Sequence, residues 1–341
     1  MSKVSTSYQL YRLTFTGPVH LGDDRPDDYA KSADFLHSDS LHAALLATMA
    51  KMGEPVPGLE GPGYTLSSCF PFGQDTSGKT IYFFPKPLLN FDLGKDEIDY
   101  AKKLKRVRWV DTEYLGHLLN GTPVDFGGSG QPNLQGIYLT SSTLPEKNPV
   151  ATATTGQRVT VSREEKDAIP FISQRLFFSS KAGLFFLFDG DDAAKQRLES
   201  ALHLLQNEGL GTDRSVGNGL FEFKHDNITL EHPKDASHAV NLSLFCPENA
   251  AQLSSMLDTE GAKTTYRVVR RGGWVTGADG RTLRKRSIGM LAEGSVLKTS
   301  DKQAGRKAIN LGPLDENGQP LLPHPVWRNG QAIFLPCKPV N

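Results

Sequence analysis

Between Gly209 and Gly219 the chain reads Gly209-Leu210-Gly211-Thr212-Asp213-Arg214-Ser215-Val216-Gly217-Asn218-Gly219, four glycines around an Arg-Ser pair. Glycines let several backbone N–H groups turn toward one anion at φ values other residues resist, and Arg214 and Ser215 add side-chain donors. The chemistry this suggests is a phosphate cradle, so a polyanion is the first ligand to consider. Leu198, Leu202 and Leu205 precede the glycines at helical spacing, and Leu220, Phe221 and Phe223 follow as a strand. That order, helix to strand, excludes both a Rossmann fingerprint and a P-loop, each of which needs a helix after its glycines. The alternative is a helix C-cap and tight turn, since Gly209 stands where a helix ending at Glu208 wants a left-handed residue.

A second group of candidates is basic. Arg267, Arg270, Arg271, Arg281, Arg284, Lys285 and Arg286 crowd together with Asp279 as their only acidic companion, whereas Asp23, Asp24, Asp27 and Asp28 crowd an early loop. The 341 residues carry 38 Lys and Arg against 38 Asp and Glu. Bulk charge therefore gives no reason to expect nucleic acid, and any such site comes from this local segregation, whose alternative is a solvated face. Cys69, Cys246 and Cys337 lack metal-ligand or disulfide-framework spacing, which indicates no metal and no cofactor. No apolar run is long enough to span a membrane, so a soluble, cytoplasmic protein is expected.

The elements that position these residues are legible in part. Tyr8 to Phe15 alternates as a strand, and His37-Ser38-Asp39-Ser40-Leu41 opens a helix with Ser38 or Asp39 as N-cap, Leu41, Leu45, Met49 and Met52 as buried stripe, and Gly53 as stop. Thr80 to Phe84 reads as a strand that Pro85-Lys86-Pro87 ends. Residues 88 to about 170, with a basic helix-like piece from Lys102 to Val110, read as an insertion with mobile tips. Leu184 to Asp189 returns as a strand, a helix runs to Asn207, and Leu220 to Lys224 follows the glycine loop. The order β-α-β-β-α-β predicts an α+β fold with a ferredoxin-like, RNA-recognition-like unit over residues 1–234, two helices on one sheet face and the other face open. From 235 to 341 the strands Ala239 to Phe245, Thr264 to Val269 and Ala332 to Leu335, with a helix from Pro247 to Leu257, predict a second, degenerate ferredoxin-like unit in tandem.

The helix start and the glycine loop together resemble the RAMP superfamily of CRISPR-associated proteins. More narrowly, the ordered set resembles the fourth Csm subunits of type III-A effector complexes: Pro18-Val19-His20-Leu21-Gly22, Phe70-Pro71-Phe72, Phe84-Pro85-Lys86-Pro87, Lys102 to Arg108, Arg270 to Trp274, Glu293-Gly294-Ser295 and His324-Pro325-Val326. The resemblance implies an RNA-binding subunit that grips the 5′ repeat-derived tag of the crRNA and contacts the large polymerase-cyclase subunit and the first backbone RAMP subunit. It implies RNA contacts by His20, Ser38, Asp39, Gly209, Gly211, Arg214, Ser215, Gly217 and Gly219, with charge and a stacking platform from Arg270, Arg271, Trp274 and Lys285. Relatives often carry Gly-Lys where this chain has Thr212-Asp213, so either neighbouring cations carry more of the phosphate attraction or Asp213 orients Arg214. The insertion resembles a thumb-like hairpin, for which Phe126 and Tyr138 are the apolar candidates; an ordinary variable loop is the alternative.

Two other function classes compete. Some RAMP relatives are metal-independent endoribonucleases, a chemistry that needs a base at the 2′-OH, and His20 is the candidate here, His37 and His42 being as easily explained by capping and packing. Asp39 lacks a second carboxylate spaced to share a metal. A protein–protein adaptor would explain the zero net charge but neither the glycine loop nor the arginines. The expectation is a binding subunit with no catalytic residue.

Overall fold

The computed structural model describes residues 3–22, 29–89, 102–124, 133–146, 150–161, 168–257, 263–277, 280–299 and 305–339. In chain order, the first part holds β1 (Lys3–Phe15), α1 (Ser38–Lys51), β2 (Tyr64–Leu66), β3 (Phe70–Gln74), β4 (Thr80–Pro85), β5 (Trp109–Asp111) and α2 (Thr112–Leu119). It continues with β6 (Asn133–Gln135), β7 (Tyr138–Thr140), β8 (Ala151–Val161), β9 (Ala168–Phe178), β10 (Gly183–Gly190), α3 (Asp192–Glu208) and β11 (Phe221–Pro233). The fold is α+β.

The main sheet runs β11-β1-β10-β3-β4-β5-β7-β6, with β2 also on β10. Its first four strands pair antiparallel, β1 with β11 over thirteen residue pairs. With α1 and α3 as connections, this part has the strand order of a split βαβ unit. Period-two alternation assigns the faces. Tyr11, Leu13 and Phe15 of β1 and Leu184, Phe186 and Phe188 of β10 pack with Leu41, Leu45 and Met49 of α1 and Leu198, Leu202 and Leu205 of α3. Met52, expected in that stripe, is the helix C-cap and exposed.

The opposite face is not open. Leu10, Phe185, Leu187, Ile228 and Leu230 pack with Val240, Leu242, Val296, Ile333 and Leu335 from the second part of the chain. Burial on both faces is why β10 reads as the unbroken apolar run Leu184 to Phe188 rather than as an alternation.

The insertion is also more structured than its Gly/Ser/Thr-rich composition suggests. β5, β7 and β6 extend the main sheet and α2 packs on it, capped by Asp111, whose carboxylate accepts from the Tyr114 amide at 2.9 Å. Tyr138 is buried against Phe83 in that extension, so it is core and not a thumb tip; Phe126 lies outside the described residues. The hairpin itself is β8–β9, paired over eleven positions and ending at Phe178, beyond the expected boundary near 170.

The second part holds β12 (His238–Asn241), α4 (Ala250–Met256), β13 (Val268–Arg271), β14 (Trp274–Thr276), β15 (Thr282–Arg284), β16 (Ile288–Leu291), β17 (Val296–Lys298), β18 (Ile309–Asn310), β19 (Trp327–Arg328) and β20 (Phe334–Cys337). Its described residues form a three-stranded sheet, β17-β12-β20, and the ribbons β13–β16, β14–β15 and β18–β19. They do not form a second four-stranded sheet backed by two helices. With only one short helix, the apolar faces of β12, β17 and β20 are buried against the main sheet instead. Among the described residues, no helix is long and apolar enough to cross a membrane.

Candidate functional site

The sequence candidates gather in two clusters. In the first, α3 begins at Asp191, whose carboxylate accepts from the Ala194 amide at 2.8 Å, and ends where Gly209, at φ 84°, turns the chain into the glycine loop. The loop is knitted to residues 18–20: the Gly219 amide donates to Pro18 O at 2.8 Å and the Thr212 amide to His20 O at 3.0 Å, while Leu210 donates to Gly219 O at 2.9 Å. These contacts explain the glycines. A Cβ at Gly211 would stand 2.2 Å from His20 O, and one at Gly219 would stand 1.9 Å from Leu210 O, both at positive φ.

This corrects the picture of a cradle of free amides. The amides of Gly209, Gly217 and Gly219 donate to Leu205 O, Arg214 O and Pro18 O, so they are committed inside the protein. What the loop presents outward is its apex, a 3₁₀ turn over Arg214–Val216 in which Arg214, Ser215 and Val216 are exposed. His20 is buried, its Nδ1 donating to Gln174 O at 2.7 Å, so it orders the loop's support rather than facing a ligand. Asp213 does not turn toward Arg214; its carboxylate accepts from Arg158 of β8.

The second cluster sits at the start of α1. Its N-cap is His37, without a side-chain capping bond; Ser38 and Asp39 already belong to the helix. Ser38 is buried, its Oγ accepting from the Leu244 amide at 3.0 Å and its amide donating to Ser68 Oγ at 2.8 Å, which removes it from the ligand-facing set. Asp39 is fully buried and receives a two-pronged contact from Arg271, Nε to Oδ2 at 3.1 Å and Nη2 to Oδ1 at 3.0 Å. Arg328 of β19 reaches the same carboxylate at 3.4 Å. Burial alone would raise the Asp39 pKa, yet Arg271 and Arg328 together hold it well below the usual carboxylate range. Lys285 lies near all three, and its pKa is pushed down to about 8 by burial and by the Arg328 charge. Three cations thus surround one carboxylate.

The rest of the basic run divides. Arg286 donates to the carbonyls of Gly312 and Asn310 and serves the fold. Arg270 is exposed, its Nε on Ser287 Oγ at 2.9 Å, and Trp274 is 46 % exposed on β14 directly opposite Arg284. An exposed indole beside arginines is the expected composition of a stacking surface. The acidic stretch Asp23, Asp24, Asp27 and Asp28 lies outside the described residues. A cleft of about 460 Å³ between Lys3, Lys79, Glu113, His117 and Glu231 involves neither cluster.

Comparison with known proteins bears on what these clusters serve. The family model "CRISPR Csm4 C-terminal domain" matches residues 234–337. The "CRISPR system Cms protein Csm4" of Thermococcus onnurineus is 26% identical over 260 residues, 73% of this chain and 75% of its own. That of Streptococcus thermophilus is 24% identical over 346 residues, 96% and 98% of the two chains. The chain is a Csm4-like protein.

Solved structures agree in fold. A chain of the Csm1–Csm4 cassette in complex with pppApA superposes with a TM-score of 0.60 at 18% identity, covering 98% of the Csm4-like chain and 100% of its own. A chain of the Csm3–Csm4 subcomplex of the type III-A interference complex gives 0.56 at 16%, covering 97% and 100%.

Sequence reasoning missed Arg328. It stands in a short, irregular stretch with no basic neighbours in sequence, and only the packing of β19 on α1 brings it to Asp39. It also missed the strut beside it: Glu293, buried, accepts from His37 Nδ1 at 2.8 Å and from Ser68 Oγ, tying α1 to the second part.

His42, one turn into α1, is buried with Nδ1 3.1 Å from Tyr64 Oη, and burial with the nearby Arg328 charge pushes its pKa down to about 3. Below the unfolded value of about 6.5, the unfolded chain binds a proton that the folded Csm4-like chain refuses. Stability is therefore expected to fall as pH drops from about 6.5 toward about 3, by up to about 1.4 kcal/mol per pH unit. Urea denaturation at a series of pH values should show this slope, and His42→Gln should flatten it; an equal slope in the variant would place the acid sensitivity elsewhere.

Proposed function

We propose that this Csm4-like chain is a non-catalytic RNA-binding subunit of a type III-A CRISPR effector complex, acting in the cytoplasm in antiviral defence. In this reading it holds the 5′ repeat-derived tag of the crRNA. The observation that carries it is the charge imbalance at the start of α1, where Arg271, Arg328 and Lys285 gather about Asp39 while the other buried carboxylate there, Glu293, is taken up by His37 and Ser68, in a chain of zero net charge. A partly buried excess of cations favours a phosphate more strongly than an exposed one does, because solvent screens it less. The exposed Arg214–Ser215 apex supplies a second phosphate contact, and Trp274 with Arg270 supplies stacking for unpaired bases.

Solved assemblies of Csm4 with Csm1 and with Csm3 support contacts to the large polymerase-cyclase subunit and to a backbone subunit. A binding role without catalysis is favoured by the burial of His20, whose Nδ1 is engaged by a backbone carbonyl. A general base for the 2′-OH must reach its proton, and this imidazole is buried against the β8–β9 hairpin and stacked on the Tyr29 ring.

The test is a mobility shift of the purified chain with crRNA bearing its 5′ tag, beside the same RNA with the tag scrambled. Tag-dependent retention of intact RNA is expected. A chain that neutralises about six phosphates of a single strand should lose affinity with a slope near about −4 in log K against log salt. Arg214→Ala should weaken tag binding by about 1 to 3 kcal/mol with unchanged melting temperature. Cleaved RNA, or full affinity in a folded Arg214→Ala protein, would sink the reading.

A further inference from the structure

The β8–β9 hairpin and the glycine loop meet at one ion pair. Arg158, opposite Phe171 in the hairpin register, donates from Nη1 to Asp213 Oδ2, and its guanidinium lies 6.0 Å from the centre of the Phe171 ring. Asp213 is the one non-glycine residue with positive φ, 59°, among the described residues. An L residue enters that region at a cost, and a residue held there by its surroundings is a place to look for function. Here the left-handed backbone accompanies a carboxylate that reaches across to the hairpin, immediately before the exposed Arg214 and Ser215. The pair is only partly covered, with the Arg158 side chain 34 % exposed. A guanidinium carries five N–H donors, more than one carboxylate oxygen uses.

We propose that Asp213 is a positioning residue that holds Arg158 next to Arg214, so that the hairpin contributes a second guanidinium to the RNA phosphates passing the glycine loop. This rests on the RNA-binding reading above. It makes an acidic residue in a polyanion site favourable to binding, because Asp213 fixes the direction of a long cationic side chain on a hairpin whose backbone is already held to residues 19–32, by the Val19–Leu176 pairing, by the Gln174 amide donating to Tyr29 O and by the Tyr29 ring against Phe171.

The experiment uses the full chain and a labelled single-stranded RNA carrying the 5′ tag, titrated at several salt concentrations. Arg158→Ala should weaken binding about tenfold and reduce the magnitude of the salt slope by about 0.7, as for one lost phosphate contact. Asp213→Asn removes a negative charge, yet it should also weaken binding, about threefold, and raise deuterium uptake in the hairpin. The double variant should bind no worse than Arg158→Ala, since the two act as one unit. Tighter binding by Asp213→Asn overturns the proposal. So does an unchanged affinity and slope in Arg158→Ala while Arg214→Ala still binds weakly, an outcome that leaves the RNA-binding reading standing. If neither arginine variant changes affinity, both fall together.

Discussion

Asp39→Asn should destabilise the protein by about 3 to 5 kcal/mol in denaturant titration, the usual cost of removing one partner from a buried ion pair. The carboxylate is fully buried between Arg271 and Arg328, with Lys285 close by. Asparagine keeps the shape but leaves two guanidiniums facing each other without an anion. The same variant should bind anions more readily if it folds at all, because the excess charge rises. The pH dependence has a definite sign. Arg271 and Arg328 overcome the effect of burial and hold the folded pKa below the unfolded value of about 3.9, so the Asp39 contribution is complete above that value and is lost only as pH falls through the folded one. A fall in stability already present between pH 6 and 5 therefore belongs to His42 rather than to Asp39. Wild-type stability in Asp39→Asn would mean that the cluster is not the electrostatic centre described.

Gly219→Ala should cost about 3 to 4 kcal/mol, combining the left-handed penalty with the displacement of backbone by the new methyl. The built Cβ stands 1.9 Å from Leu210 O, the carbonyl of the residue whose amide donates to Gly219 O and closes the loop. Gly217→Ala is the internal control: its φ is also positive, at 82°, but nothing lies within 4 Å of its Cβ, so only the conformational part of the penalty applies. Thermal melts of the two variants should differ by several degrees. Equal melts would mean that the loop relaxes freely and that the close approach of Gly219 to Leu210 contributes nothing.

The glycine loop shows how far sequence reading reaches. Four glycines near an Arg-Ser pair marked a tight loop between helix and strand with an exposed Arg214–Ser215 apex, but composition cannot distinguish a glycine that frees an amide for a ligand from one that lets two backbones touch. Gly211 and Gly219 are of the second kind. The length of β11 was hidden for a related reason. Lys224 to Asn227 look like a loop, yet they pair with Arg12 to Gln9 and the strand runs on to Pro233 opposite Lys3, because an exposed sheet margin tolerates polar residues on both faces. Asp39 was legible as a helix-start residue and Arg271 as part of a basic run. Their pairing, and the arrival of Arg328, depend on contacts between residues more than two hundred apart, which no local pattern encodes.

The main sheet is shared by two cores, with α1 and α3 on one side and β12, β17 and β20 on the other. Neither portion of the chain owns a complete interior. Cutting after β11 would strip Leu10, Phe185 and Leu187 of their cover and at the same time leave Leu242 and Leu335 bare. At about 25 cal/mol per Å² of apolar surface, exposing several such side chains at once is more than a typical domain's whole margin of stability can absorb. The two portions are therefore one cooperative unit, and a newly made chain, though it has all the strands of its main sheet once β11 is made, cannot cover one face of that sheet until Phe334 to Cys337 has been synthesised. On the proposed reading, in which RNA is gripped at a seam between early and late residues, this places the completion of the fold and the completion of the binding surface at the same moment.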